Sequence, residues 1–108
     1  FTSITKYKEN FPFPVLFEPE KINNIFPEIL AQNNYRQFRI AETEKYAHVT
    51  YFFNGGEEKE FDGEDRLLVP SPDVATYDLK PEMSAVELTN KVIDKIDNNI
   101  FYNVLLKL

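Results

Sequence analysis

Apolar positions recur along this chain at two different periods, and each change of period marks an element. Ile22, Ile25, Phe26, Ile29 and Leu30 follow the i, i+3, i+4, i+7, i+8 spacing of one helical face. Proline is tolerated only in a first turn, where its missing amide would lack a partner anyway, so Pro27 predicts a helix that starts near Ile25. Asn33 and Asn34 offer it a left-handed stop. "RQFRIA" reads as a strand from Arg36 to Ala41, and "RLLVPS" as another that ends at Pro70. Ser84 and Glu87 have the spacing of a capping box. Behind them Ala85, Leu88, Val92 and Ile96 line one face, while Glu87, Lys91 and Lys95 pair along another, which predicts a helix over Ala85–Asp97. The closing "FYNVLLKL" has the unbroken apolar run of a strand buried on both faces. At the other end, Pro12, Pro14 and Pro19 make "FPFPVLFEPEK" an extended lead-in strap. Strands alternating with helices predict the α/β class, a mostly parallel sheet with flanking helices. Ligand-binding loops in such folds lie beyond the carboxyl ends of the strands.

Residues 39–56, "RIAETEKYAHVTYFFNGG", support two readings. The β-branched and aromatic content from Tyr46 to Phe53 suits a strand, with "NGG" turning it back against "EEKEF". A helix fits better. Thr43 can act as its N-cap, Glu44 suits the first turn, and Tyr46, Val49, Thr50 and Phe53 share a face. Gly55 or Gly56 would end it with positive φ. A helix that opens directly after a strand aims its free amides above the sheet, which makes a natural phosphate site. Lys45 then stands beside the anion, and His48 follows one turn later on the same side. Pattern alone also accommodates Lys45 as a solvated surface lysine and His48 as a hydrogen-bonded structural histidine. Arg39 and Glu42 are placed to pair across a strand end, and "EEKEFDGED", residues 57–65, reads as a solvated loop. That run lacks the ligand spacing of a calcium loop, and no Gly-rich phosphate loop or GxSxG nucleophile motif occurs.

Composition narrows the function classes. With 108 residues, of which 43% are hydrophobic and 15% aromatic, the chain is the size of one domain with enough apolar matter for a core. Its net charge of −6 repels a phosphate backbone, which argues against nucleic acid and against anionic membrane surfaces. The absence of Cys excludes disulfides and thiolate chemistry and points to a reducing, cytoplasmic setting. No run approaches the roughly 20 apolar residues of a membrane span, and no signal-peptide pattern is present. The first residue is Phe1 rather than Met, which leads us to expect a piece of a longer protein.

"RIAETEKYAHVTYFFNGG" followed by "EDRLLVPSPDVATYDLKPEMSA" closely resembles the cofactor-independent (2,3-bisphosphoglycerate-independent) phosphoglycerate mutases. "FPFPVLFEP" and the final capped helix agree, so the resemblance spans almost the whole chain. It implies that residues 1–108 are a fragment of the metal-binding, alkaline-phosphatase-like domain, with residues 1–18 as the connection returning from a missing inserted transferase domain. It further implies an isomerase of glycolysis and gluconeogenesis that interconverts 2-phosphoglycerate and 3-phosphoglycerate through a phosphoserine, assisted by two manganese ions. Charge spreads over the phosphoryl oxygens in such a step, so cations and positioning do most of the work. The lysine of the family's "ETEKYAHVT" motif contacts that phosphate and corresponds to Lys45, while His48 matches a histidine of the same motif and is a weaker candidate for substrate contact.

The resemblance also marks what is missing. The serine nucleophile and one aspartate ligand lie upstream in the family, and an Asp-x-x-x-His pair and an Asp-His pair lie downstream, so no metal ligand is expected here. Lys107 and Leu108 replace the family's usual strand end. The resemblance implies a small-molecule substrate, a monomer when full length, and no activity for the fragment alone. The rival readings are a phosphopentomutase-like relative and a non-catalytic acidic α/β interaction module.

Overall fold

The computed structural model describes residues 1–6, 10, 12–98, 101 and 103–107. Two short strands come first, β1 (Ser3–Thr5) and β2 (Val15–Phe17), which pair in parallel as a separate two-stranded sheet. The predicted strap is thus partly a strand, because an extended proline-spaced path leaves Val15–Phe17 free to form a ladder. Phe11, the first residue of that predicted strap, lies outside the described residues.

Helix α1 (Phe26–Gln32) follows with Ile25 at its N-cap and Pro27 in its first turn, and Asn34 beyond it adopts φ 56°, as the sequence predicts. Its apolar stripe is only partly used. Leu30 is buried, whereas Phe26, Ile29 and the preceding Ile22 remain largely exposed.

The main sheet is parallel, with β3 (Gln37–Glu42) in the centre, β4 (Glu64–Val69) on one side and β5 (Asn103–Lys107) on the other. β3 is buried along its whole length. Alternation assigns its residues to two unlike faces. Phe38 and Ile40 join Val69 and the helix residue Leu88 in a fully buried apolar cluster, with Leu67, Val92, Phe101, Val104 and Leu106 packed around it. Burying each such side chain is worth about 1.5–3 kcal/mol. Gln37 and Arg39 point to the opposite side, toward α1 and the short helix α2 (Tyr46–Val49).

Helix α3 (Ala85–Asn98) covers the apolar face through Leu88 and Val92. Ile96, predicted on that stripe, is nearly half exposed, because the last turns of α3 run past the cluster. Lys91 pairs with Glu87 as expected, but Lys95 reaches Asp65 on β4 instead. The predicted α/β class with a parallel sheet and helices on both faces is the fold observed. Strand boundaries shift: β3 begins at Gln37, and β4 takes up Glu64 and Asp65 before the expected Arg66. Tyr102 and Leu108 of the predicted last strand lie outside the described residues. The whole measures 50 × 44 × 15 Å. Its thin dimension leaves Val86, Ile93 and Leu68 about half or more exposed.

Candidate functional site

The carboxyl end of β3 delivers the chain into a 3-10 turn, Thr43–Lys45, and then into α2, which packs against β3 and β5. Residues 46–49 are helical, as preferred over strand, but the helix stops at Val49 and continues as turns rather than reaching Phe53. Gly55 and Gly56 close those turns with φ 69° and 92°, the predicted positive-φ stop.

Thr43 does not cap this helix. Lys45 occupies the cap position of α2 and Glu42 that of the 3-10 turn before it, neither with a side-chain capping bond, and the Thr43 hydroxyl instead accepts the Ser71 amide (3.2 Å). Ser71, just past β4, returns the contact, because its hydroxyl accepts the Glu44 amide at 3.2 Å. The Tyr77 phenol donates to the Glu44 carboxylate (3.0 Å), and that bond raises its pKa, since ionising it would remove the donated proton. One level below, the buried Glu42 carboxylate accepts the Ser84 amide (3.2 Å), and the Ser84 hydroxyl donates to the Pro70 carbonyl (2.8 Å). Glu42 therefore serves the first turn of α3 as the predicted capping-box Glu87 was expected to. Glu87, on the outer side, pairs with Lys91. These bonds join the ends of β3 and β4 to the start of α3.

Arg39 and Glu42 do not pair. Three residues apart in a strand, they lie on opposite faces. Arg39 meets Glu64 at 2.8 Å, with side-chain exposures of 1% and 0%. It also donates to the Asn54 side chain (2.7 Å), the Val49 carbonyl (3.2 Å) and the Gln37 side chain (3.2 Å), which leaves Nε as a buried donor without an acceptor. Burial lowers the Arg39 pKa against the opposing pull of Glu64. Arg66 shares Glu64 and also takes Glu58. Burial lowers its pKa too, but the hydrogen bonds to Glu64 and Glu58 outweigh that and leave it raised. Residues 57–65 are consequently not a simple solvated loop, since the Glu64 side chain is buried and Glu58 is tied to Arg66. The alternation of Gln37 and Arg39 with Phe38 and Ile40 was the legible signal for this polar face.

Lys45 lies at the end of the 3-10 turn, half-buried, and forms no ion pair among the described residues. His48 is exposed, and its ring stacks on Phe52 at 5.7 Å instead of making the hydrogen bonds of a structural histidine. The helical segment is short and its Glu44 amide is taken by Ser71, so an anion beside Lys45 would be met by the ammonium rather than by a helix terminus. Among the described residues no three His, Asp or Glu side chains come together in a way that could hold a metal ion. The metal chemistry implied by the family therefore does not fit the described residues of this chain taken alone. Nor is any described helix long and apolar enough to cross a membrane.

Residues 7–108 match the family model of the metalloenzyme superfamily. The 2,3-bisphosphoglycerate-independent phosphoglycerate mutase of Ectopseudomonas mendocina is 58% identical over 98 residues, 91% of this chain and 19% of the relative. That of Myxococcus xanthus is 59% identical over 99 residues, again 91% of this chain and 19% of the relative. Phosphoglycerate mutase of Leishmania mexicana, crystallised at low cobalt concentration, superposes with a TM-score of 0.82 at 28% identity over 97% of this chain and 20% of its own. The chain thus spans about a fifth of the length of the relatives it matches. Sequence and fold agree over almost every residue described, and on that agreement the chain belongs to the metalloenzyme superfamily.

Proposed function

We propose that this chain is part of a cofactor-independent phosphoglycerate mutase, in which Lys45 contacts the phosphate transferred between the 2- and 3-hydroxyls of glycerate. The observation that carries the reading is a half-buried lysine without an ion pair among the described residues, held at the carboxyl end of the central parallel strand. Ligands of open α/β sheets are met at that end. A compact ammonium there can neutralise a phosphoryl oxygen as charge develops on it. His48, exposed three residues later, is the secondary candidate for substrate contact.

In this reading the serine nucleophile and the ligands of two manganese ions come from polypeptide outside this chain, and the 108 residues alone are inactive. Residues 1–18, whose two strands pair outside the main sheet, form the connection from an inserted transferase domain. The complete protein works in the cytoplasm as a monomer on a small-molecule substrate, without nucleic acid or membrane. The test is steady-state mutase kinetics on the intact protein. Lys45→Ala is expected to lower kcat by on the order of 10²-fold or more with an unchanged thermal melt. A near-normal kcat would reduce Lys45 to a surface residue and overturn the reading.

A further inference from the structure

Ser71 joins the end of β4 to the turn that carries Lys45 by two bonds running in opposite directions. Its hydroxyl accepts the Glu44 amide and its amide donates to the Thr43 hydroxyl, each at 3.2 Å. A reciprocal pair fixes both the separation and the rotation of the two segments, which a single bond would not. Tyr77 adds a third tie through the Glu44 carboxylate at 3.0 Å. Thr43 and Glu44 are therefore held from outside, and Lys45 is the next residue. The lysine side chain itself has no ion pair among the described residues to orient it. With a flexible four-carbon stem, the place its ammonium occupies depends on where its backbone is held.

We infer that Ser71 is a positioning residue for Lys45, acting through Thr43 and Glu44 to hold the turn where the ammonium meets a phosphoryl oxygen. This rests on the reading of Lys45 given above. A displacement of about 1 Å in a group that stabilises a transition state costs rate, so the loss should fall on kcat rather than on KM. The Ser71 bonds lie near the surface and span two loops, so removing one should leave the melting temperature nearly unchanged.

Kinetics of the intact protein on 3-phosphoglycerate test this. Ser71→Ala should lower kcat about tenfold at nearly constant KM, and Thr43→Val, which removes the other bond, should do the same. Ser71→Thr, which keeps the hydroxyl, should restore most of the rate. In a Lys45→Ala background, Ser71→Ala should have no further effect, since two residues acting through one contact are not additive. If Ser71→Ala lowers kcat by the same factor with and without Lys45, or leaves kcat unchanged while Lys45→Ala is impaired, the positioning role is wrong and the Lys45 reading stands. If Lys45→Ala is itself near normal, that reading fails first and takes this one with it.

Discussion

Arg39 on the central strand and Glu64 on its neighbour form an ion pair at 2.8 Å from which water is excluded. Glu64 is also the carboxylate of Arg66, which stands beside Arg39 in the strand register. One carboxylate thus bridges two guanidiniums, of which Arg66 has a second carboxylate in Glu58. Removing one member of a buried pair costs about 3–5 kcal/mol, because the partner keeps its desolvation penalty without its compensation. Arg39→Met should fall near the lower end, since Glu64 keeps Arg66, and Glu64→Leu should cost more, since both arginines lose it. Urea melts of the intact protein check the order, and equal or smaller losses for Glu64→Leu would contradict it.

Glu42 closes the first turn of α3 from the end of β3. Glu42→Ala leaves the buried Ser84 amide without an acceptor, which should cost about 1–3 kcal/mol. Glu42→Gln retains a side-chain oxygen and should cost less. Glu87→Ala, on the exposed side of the helix, should change stability by no more than about 0.5 kcal/mol. Thermal melts of the three variants, with a larger loss for Glu87→Ala than for Glu42→Ala, would restore the capping box expected from sequence.

Burial raises the Tyr46 pKa, nearby Glu60, Glu58 and Glu64 add to the rise, and Arg66 opposes it. The folded state therefore holds this phenolic proton more tightly than the unfolded chain, whose tyrosines titrate near about 10. The contribution is fully present below that pH and is lost as pH rises through the higher folded value. Denaturation midpoints measured between pH 8 and 11 should fall more steeply for the native protein than for Tyr46→Phe. Parallel curves would show that Tyr46 ionises alike in both states.

Gly63 has φ 74°, and a Cβ there would sit 3.2 Å from the Tyr35 carbonyl oxygen, while its own carbonyl accepts the Gln37 amide at 2.9 Å. Gly55 has a similar φ of 69° but only Ile22 side-chain atoms, at 3.6 Å, in front of it. The left-handed backbone alone costs a non-glycine residue about 1–2 kcal/mol. Gly55→Ala should show that loss, and Gly63→Ala a larger one, because a backbone carbonyl at the start of β3 cannot move aside as a side chain can. Denaturant titrations that rank them the other way would refute the argument.

The elements of this protein were legible where a rule acts within a few residues. The 3.6-residue period located α1 and α3, Pro27 and Asn34 bounded α1, and the glycines after Asn54 ended the turns that follow α2. The resemblance proposes Lys45, from a contiguous motif, as a phosphate contact. What sequence could not decide was partnership. Arg39 and Glu42 looked like a pair because they are close along the chain, yet strand alternation sends them to opposite faces, and their true partners are Glu64 and the Ser84 amide. Glu42 and Ser84 stand 42 residues apart, and Ser71 meets Thr43 and Glu44 across 28 and 27. Such contacts depend on parallel register and on how a helix seats against the sheet. Those are fixed by burying Phe38, Ile40, Val69 and Leu88 together, a condition on the whole chain that no local pattern expresses.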